Sequence, residues 1–358
     1  MKVVDLFCGT GGFSLGAHKA GFEVPLSIDI DPNLTFSAGS NFPNTSTHLA
    51  DIAMLSGSDL TSRVNDRISG VIGGPPCQPF SLIGKRDKHD PRRDLIEHFF
   101  RLVSEIRPLF FVMENVPGLI QGKAYEALES SLNFIPGNYE VITPLILDAS
   151  LYGAATNRRR CFVIGFLPEF VDRPDLSSTE DEPKPTVRDA IEDLANASEL
   201  GQDEEGYDVF ELDNRKSISN YAVNLRSPDR RFTGNRRTQH SARIEQRFAA
   251  VKPGSSDVIG RHQRLSWSGL CPTLRAGTGP DRGSYQSVRP LHPVEPRVIT
   301  VREAARLQGF PDQHRFHPTI WHSFRMIGNS IPPPLAFGVM RALAQACHRV
   351  SNLPAAAE

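Results

Sequence analysis

The chain predicts an α/β protein, a doubly wound parallel sheet flanked by helices that carries a smaller inserted second domain. Three observations support this. Short apolar strands alternate with helical stretches through the first half, the alternation stops near Pro168, and helical patterning returns close to the C-terminal end.

The elements follow in order. Residues 3–7 read as a first strand, with Asp5 inside an otherwise apolar run. A glycine turn then opens a helix over 12–20, and a second strand over 25–30 ends in Asp29 with Asp31 just beyond. A short third strand precedes Asp51. Residues 70–73 form a strand, about 93–106 a helix, and 109–113 a strand of five consecutive apolar residues, the mark of burial on both faces. A helix near 124–132 and strands over 139–147 and 160–166 complete the domain. From residue 168 the texture is loop-rich, with Pro174, Pro183 and Pro185 followed by blocks of charge. Regularity resumes where Thr300 stands three positions ahead of Glu303, a capping box. An amphipathic helix over 335–350 is expected to pack back on the first domain. The expected boundaries are 1–172 for the first domain, 173–312 for the inserted one and 313–358 for the returning segment.

At 358 residues the chain exceeds what one compact core usually serves, which supports two domains. No apolar run reaches the roughly 18 residues of a membrane span, and nothing addresses the chain for export. Its five cysteines, at 8, 77, 161, 271 and 347, are odd in number and scattered. That suits neither a disulfide framework nor a zinc site, so a reducing compartment and no metal are expected. The formal net charge of -1 argues against gripping a polyanion through overall charge. Locally the signs segregate. Glu199, Asp203, Glu204, Glu205, Asp208, Glu211 and Asp213 precede Arg226, Arg230, Arg231, Arg236, Arg237, Arg243 and Arg247, a pattern that gives a neutral protein one basic face.

Three kinds of reactive group stand at strand ends. Cys77 lies in Gly73-Gly74-Pro75-Pro76-Cys77-Gln78-Pro79-Phe80-Ser81, where prolines and glycines present one thiol at a fixed place. Glu114-Asn115-Val116 closes one apolar run, and Arg158-Arg159-Arg160 precedes another. At the first strand, Gly9, Gly11 and Gly12 let backbone approach a ligand, Asp29 suits a ribose diol, Asp51 suits an adenine amino group and Phe7 offers a ring to its face. A dinucleotide site reads much the same way, except that Asp5 at the mouth opposes a pyrophosphate. A sulfonium cation tolerates that carboxyl.

Six motifs in one order resemble the DNA (cytosine-5) methyltransferases over most of the chain. They are Asp5-Leu6-Phe7-Cys8-Gly9-Thr10-Gly11-Gly12-Phe13, Gly74-Pro75-Pro76-Cys77-Gln78, Glu114-Asn115-Val116, Asn157-Arg158-Arg159-Arg160, the run from Arg302 to Pro311, and Gly328-Asn329-Ser330-Ile331-Pro332-Pro333. The resemblance implies a Rossmann-like S-adenosylmethionine-dependent domain with a target-recognition domain inserted between the arginine motif and the Arg302 helix, where Pro272-Thr273-Leu274 matches the family's Thr-Leu pair. It assigns the cofactor S-adenosyl-L-methionine to Phe7, Gly9, Gly11, Gly12, Asp29, Ile30, Asp51, Ile52, Pro75, Asn329 and Ser330. Departures are Ala155-Thr156, where the family commonly has Pro-Gln, and Asp29, where it commonly has Glu.

The implied chemistry explains the residue types. Carbon 5 of cytosine is a poor nucleophile, so Cys77 first adds to carbon 6, carbon 5 then takes the methyl group, and elimination restores the ring. Glu114 supplies a proton or hydrogen bond at nitrogen 3, a task that calls for an apolar surround. Asn115 is expected to orient that carboxyl, Arg160 to bind the base carbonyl or a phosphate, and Arg158 to stabilise the loop or the extruded nucleotide. The target base must leave the helix, and the loop after Cys77, with Ser81, Lys85 and Arg92, is expected to close over DNA. Arg230, Arg231, Arg236, Arg237 and Thr273 are the candidate DNA contacts in the inserted domain.

Double-stranded DNA is thus the expected partner of a cytoplasmic monomer, acting alone or beside a restriction endonuclease for the same site. A tRNA methyltransferase of the related group would carry a Cys-Phe-Thr signature, which this chain lacks. A non-enzymatic scaffold leaves Cys77, Glu114 and Arg160 unexplained, and a nicotinamide-dependent oxidoreductase leaves the Pro-Cys-Gln loop unexplained.

Overall fold

The computed structural model describes residues 1–76, 95–177, 183–214, 218–277 and 288–347. Two compact units emerge. Among the described residues the first comprises 1–147, 159–177 and 335–347, and the second 148–158 and 183–334.

The first unit runs β1 (Lys2–Leu6), α1 (Gly12–Lys19), β2 (Glu23–Asp29), α2 (Pro32–Asn41), β3 (Ser46–Leu49), α3 (Gly57–Val64), β4 (Gly70–Gly73), α4 (Leu95–Ile106), β5 (Phe110–Asn115), α5 (Gly122–Leu132) and β6 (Glu140–Asp148). After β7 (Thr156–Asn157), which belongs to the second unit, the chain returns as β8 (Arg159–Phe166). The sheet order is β3-β2-β1-β4-β5-β8-β6. Pairing is parallel from β3 through β5, and β8 runs antiparallel to β5. Strand order therefore reverses between β1 and β4, the place where open α/β sheets bind ligands beyond their carboxyl ends. There Leu6 is in register with Gly73, and Gly73 with Met113. A Cβ on Gly73 would lie 2.1 Å from the Leu6 carbonyl oxygen, so glycine is what lets these strands meet.

The core explains the sequence pattern. Phe110 to Met113 are wholly buried because β5 is covered on both faces. Ile96, Phe99, Phe100 and Val103, at the i, i+3, i+4, i+7 spacing, turn one face of α4 into that core. The C-terminal helix spans Pro333–Ala346. It packs on α1 as expected, where a Cβ on Gly16 would come within 2.5 Å of Ala336.

The second unit holds more regular structure than its sequence suggests. It contains α6 (Val187–Ile191), β9 (Ser198–Gln202), β10 (Asp208–Glu211), α7 (Asn220–Leu225), β11 (Arg231–Thr233), α8 (Ala242–Ala249), β12 (Cys271–Pro272), α9 (Val301–Leu307) and α10 (Ile320–Asn329), and α11 (Pro333–Ala346) follows. Strands β11, β10 and β9 form an antiparallel sheet, and β12 pairs with β7 in parallel. Buried guanidiniums do much of the organising here. Arg302 donates to the carbonyls of Thr233, Pro311 and His314 at 3.0, 2.9 and 2.8 Å, and Arg306 pairs with Asp312 at 2.7 Å and Asp193 at 3.0 Å. The Thr300–Glu303 capping box forms as expected. The expected return at residue 313 differs from the structure, in which α10 belongs to the second unit and the chain re-enters the first at Leu335. Among the described residues no helix is long and apolar enough to cross a membrane.

Candidate active site

At the end of β1 the chain turns sharply, with Phe7 at φ +62°, a conformation that strains a residue bearing a Cβ. Gly9 follows at φ +57° with open space where a Cβ would point, and Gly11 at φ +86° lies so close to the Phe42 ring that a Cβ would meet it at 2.2 Å. The turn is tied to the next strand by Asp29. Its carboxylate accepts from Gly9 N at 2.9 Å and Asp31 N at 3.0 Å. Burial raises the Asp29 pKa, and those amides oppose the shift.

Beneath the turn, Asp5 is buried and accepts from Ser14 Oγ at 2.5 Å, while its Oδ1 has no hydrogen-bond partner among the described residues. Burial pushes its pKa up to about 7, against the pull of Ser14. Asp51 caps a single turn after β3, accepting from Ala53 N at 3.0 Å, and its side chain is exposed. Ile30 is 65% exposed. Ile52, the residue after Asp51, turns its side chain into the core. An open glycine, two carboxylates at adjacent strand ends, an exposed aliphatic wall and an unsatisfied buried carboxyl oxygen suit a ligand with a diol, an aromatic base and a positive charge.

A second set of groups gathers at the ends of β4, β5 and β8. Glu114 Oε1 lies 2.7 Å from Arg160 Nε, with both side chains about nine-tenths buried. Burial lowers the Arg160 pKa, and the Glu114 charge opposes this. Arg160 also donates to the Arg159 carbonyl at 2.8 Å. It is thus engaged by the acid itself, where the sequence had pointed to a base carbonyl or phosphate. Gly74 makes room for Glu114, because a Cβ there would lie 3.0 Å from Oε2. Asn115 differs from expectation too. Its Nδ2 donates to the Pro75 carbonyl at 3.1 Å and its Oδ1 accepts from Val116 N at 2.9 Å, so it holds the turn after β4 and not the Glu114 carboxyl. Cys161 behind this pair is an inert thiol, pushed up to about 12 by burial and by the Glu114 charge. Cys77, Ser81, Lys85 and Arg92 lie outside the described residues.

The other expected sites are in the second unit. Arg158 has no exposed surface, and it donates to the carbonyls of Leu274 at 2.8 Å and Gly328 at 2.6 Å. It fixes loops, and its burial keeps it from a nucleotide in this state. Thr273 is exposed and donates to Asn157 O at 2.7 Å, Asn329 is exposed at the end of α10, and Ser330 follows it half-buried. The arginine block is not the free basic face its sequence suggests. Arg226 pairs with Asp193, Arg230 with Glu211, Arg236 with Glu199, Arg237 with Glu295 and Arg247 with Asp257. Glu199 and Glu211 come from the acidic block, which β9 and β10 carry in the same sheet as β11, while Asp193, Asp257 and Glu295 lie outside that sheet. Arg231 and Arg243 are exposed. Sequence reasoning missed the Asn115–Pro75 tie and the Gly74 clearance. The first depends on strand register, and the second was readable only as a glycine beside a fixed turn.

The sequence model of the family described as C-5 cytosine-specific DNA methylase matches residues 1–345. The chain is 40% identical to the Type II methyltransferase M.XorII of Xanthomonas oryzae pv. oryzae, over 98% of this chain and 86% of that one. It is similar to a solved Escherichia coli structure assigned as a DNA modification methyltransferase encoded within a prophage, with a TM-score of 0.84, 36% identity and coverage of 97% and 99% of the two chains. A Spodoptera frugiperda DNMT2 variant shares the fold, with a TM-score of 0.61 at 15% identity over 96% and 99% of the chains.

Proposed function

The chain belongs to the C-5 cytosine-specific DNA methylase family, and from that premise we propose how its own residues divide the work of a DNA cytosine-5 methyltransferase. The observation that carries this reading is the buried Glu114–Arg160 pair beside the Gly74-Pro75-Pro76 turn, which leads directly into Cys77.

The family uses S-adenosylmethionine, which supplies an electrophilic methyl group when bound. In this chain Phe7, Gly9, Gly11, Asp29, Ile30 and Asp51 are the residues that would hold it. Asp29 has its oxygens fixed by two backbone amides, Gly9 admits close approach, and the carboxyl of Asp5 favours a positive charge nearby.

Catalysis begins with the Cys77 thiolate adding to carbon 6 of an extruded cytosine. The electrons of the carbon 5–carbon 6 double bond move toward nitrogen 3, where Glu114 supplies the hydrogen bond or proton. Arg160 keeps that carboxyl in one orientation, because the two share a short charge-assisted contact in a buried place. Carbon 5 then takes the methyl group, its proton departs to a base, and elimination expels the thiolate and restores the ring. Asn115 supports the nucleophile indirectly through the Pro75 carbonyl.

The second unit is the target-recognition domain in this reading, and double-stranded DNA is the substrate. By analogy with the Type II relatives, the enzyme protects a site also cut by a partner endonuclease, or acts without one, as a cytoplasmic monomer. The test is methyl transfer from labelled S-adenosylmethionine to plasmid DNA, with bisulfite sequencing of the product. Conversion-resistant cytosines in one sequence context support the reading, and an unmarked plasmid refutes it.

A further inference from the structure

Residues 254–264 of the second unit form a hairpin that the site above does not use. Its arms are joined from Asp257 N to His262 O, Arg264 N to Ser255 O and Gly254 N to Arg264 O, each at 2.9 Å, with an antiparallel bridge between Ser256 and Gln263. Its base is firmly mounted. Buried Arg264 donates to the carbonyls of Phe248 at 2.6 Å, His292 at 2.8 Å and Glu295 at 3.2 Å, and the His262 ring packs 5.2 Å from that of Phe248.

The tip is equally constrained. The buried Asp257 carboxylate accepts from Gly260 N at 2.5 Å and pairs with Arg247 at 3.1 Å, Arg261 adopts φ +58°, and a Cβ on Gly260 would come within 2.6 Å of the His262 ring. Ordering a loop tip this far opposes chain entropy. The side chains it displays are nonetheless Val258, 91% exposed, and Ile259, 65% exposed. Around them stand exposed Lys252, Ser255, Ser256 and Arg261. Asp257 is the one carboxylate of the hairpin's sequence, and it is buried and engaged.

We propose that Val258 and Ile259 are a preformed apolar base-reading tip, touching base edges in the major groove while Lys252 and Arg261 take neighbouring phosphates. The inference rests on the reading of the second unit as the target-recognition domain. The cationic and hydroxyl rim selects a polyanion as occupant, and rigid aliphatic groups suit the methyl group and apolar edges that bases present in that groove.

The test compares wild type with the V258S/I259S double variant and with R261A. Each is titrated with a duplex bearing the site that wild type methylates, as mapped by bisulfite sequencing, and with a random duplex, across a salt series. Both tip residues are exposed, so the melting temperature and S-adenosylmethionine affinity of the double variant should match wild type. Its ratio of site to random affinity should fall about tenfold, with the salt slope unchanged. R261A should weaken both duplexes alike and reduce the slope by about one. An unchanged ratio in the double variant, or an equal loss on both duplexes, overturns the proposal. Methylation by wild type in the same samples shows that the functional reading stands whichever way the ratio falls.

Discussion

Asn115 Nδ2 donates to the carbonyl of Pro75 at 3.1 Å, tying the end of β5 to the turn that runs into Cys77. In the proposed mechanism the residue after the acid thereby positions the chain that leads into the nucleophile. Removing this bond in Asn115→Ala should lower kcat by at least about tenfold, because a small misplacement of a reacting group costs that much or more. Stability should fall by about 1 to 3 kcal/mol, since the bond accepted from Val116 N is lost as well, and S-adenosylmethionine affinity should hold. Single-turnover methylation and equilibrium titration check both.

Arg160→Ala should destabilise the fold by about 3 to 5 kcal/mol, since it removes the guanidinium paired with the buried Glu114 carboxylate. Arg160→Ala combined with Glu114→Gln should recover much of that loss and remain inactive. Urea unfolding of the three variants measures the coupling directly.

Gly74→Ala tests how closely the acid is seated. The added methyl would lie 3.0 Å from Glu114 Oε2, tighter than ordinary contact, and must displace the carboxyl or the turn. Methyl transfer should drop at least about tenfold, while cofactor binding persists. Wild-type turnover in this variant would mean that Glu114 is free to shift without consequence.

Asp5 makes stability depend on pH in a known direction. Its folded pKa, about 7, lies above the unfolded value near 4, so the folded state holds the proton more tightly. Its contribution is full below about pH 4, declines as pH rises, and is lost above about pH 7, a span worth about 3 to 4 kcal/mol. Asp5→Asn should flatten that part of the profile. Melting temperatures of both proteins between pH 5 and 8 test it, and parallel curves would contradict the assignment.

Among the arginines, the exposed Arg231 should matter more to DNA than Arg236, which pairs with Glu199 at 3.3 Å. Arg231→Ala should weaken duplex binding and reduce its salt slope by about one, and Arg236→Ala should do less of each. Fluorescence anisotropy across a salt series distinguishes them.

These particulars show what the sequence made legible. The first unit could be read because its strands are continuous apolar runs, as at Phe110 to Met113, and its helices show one buried face, as in α4. Glycine turns could be read in the same way, and the structure brings Glu114 and Arg160 together at strand ends as their place after and before apolar runs suggests. The second unit was harder to read because Arg302 and Arg306 anchor it through carbonyls and carboxylates, which leaves little hydrophobic periodicity. The arginine block misled for a related reason. Its partners, Glu199 and Glu211 on strands and Asp193, Asp257 and Glu295 off them, are brought in by the fold, and such pairing is invisible to a count along the chain. The role of Asn115 likewise depended on where β4 meets β5.

The covalent route is tested most directly by incubating the protein and S-adenosylmethionine with a duplex whose target cytosine carries fluorine at carbon 5. That carbon then has no proton to lose, so elimination is blocked. A denaturation-resistant complex, mapped by mass spectrometry to the peptide containing Cys77, is the expected result. Rapid methylation of the ordinary duplex with no such adduct on its fluorinated counterpart would contradict it.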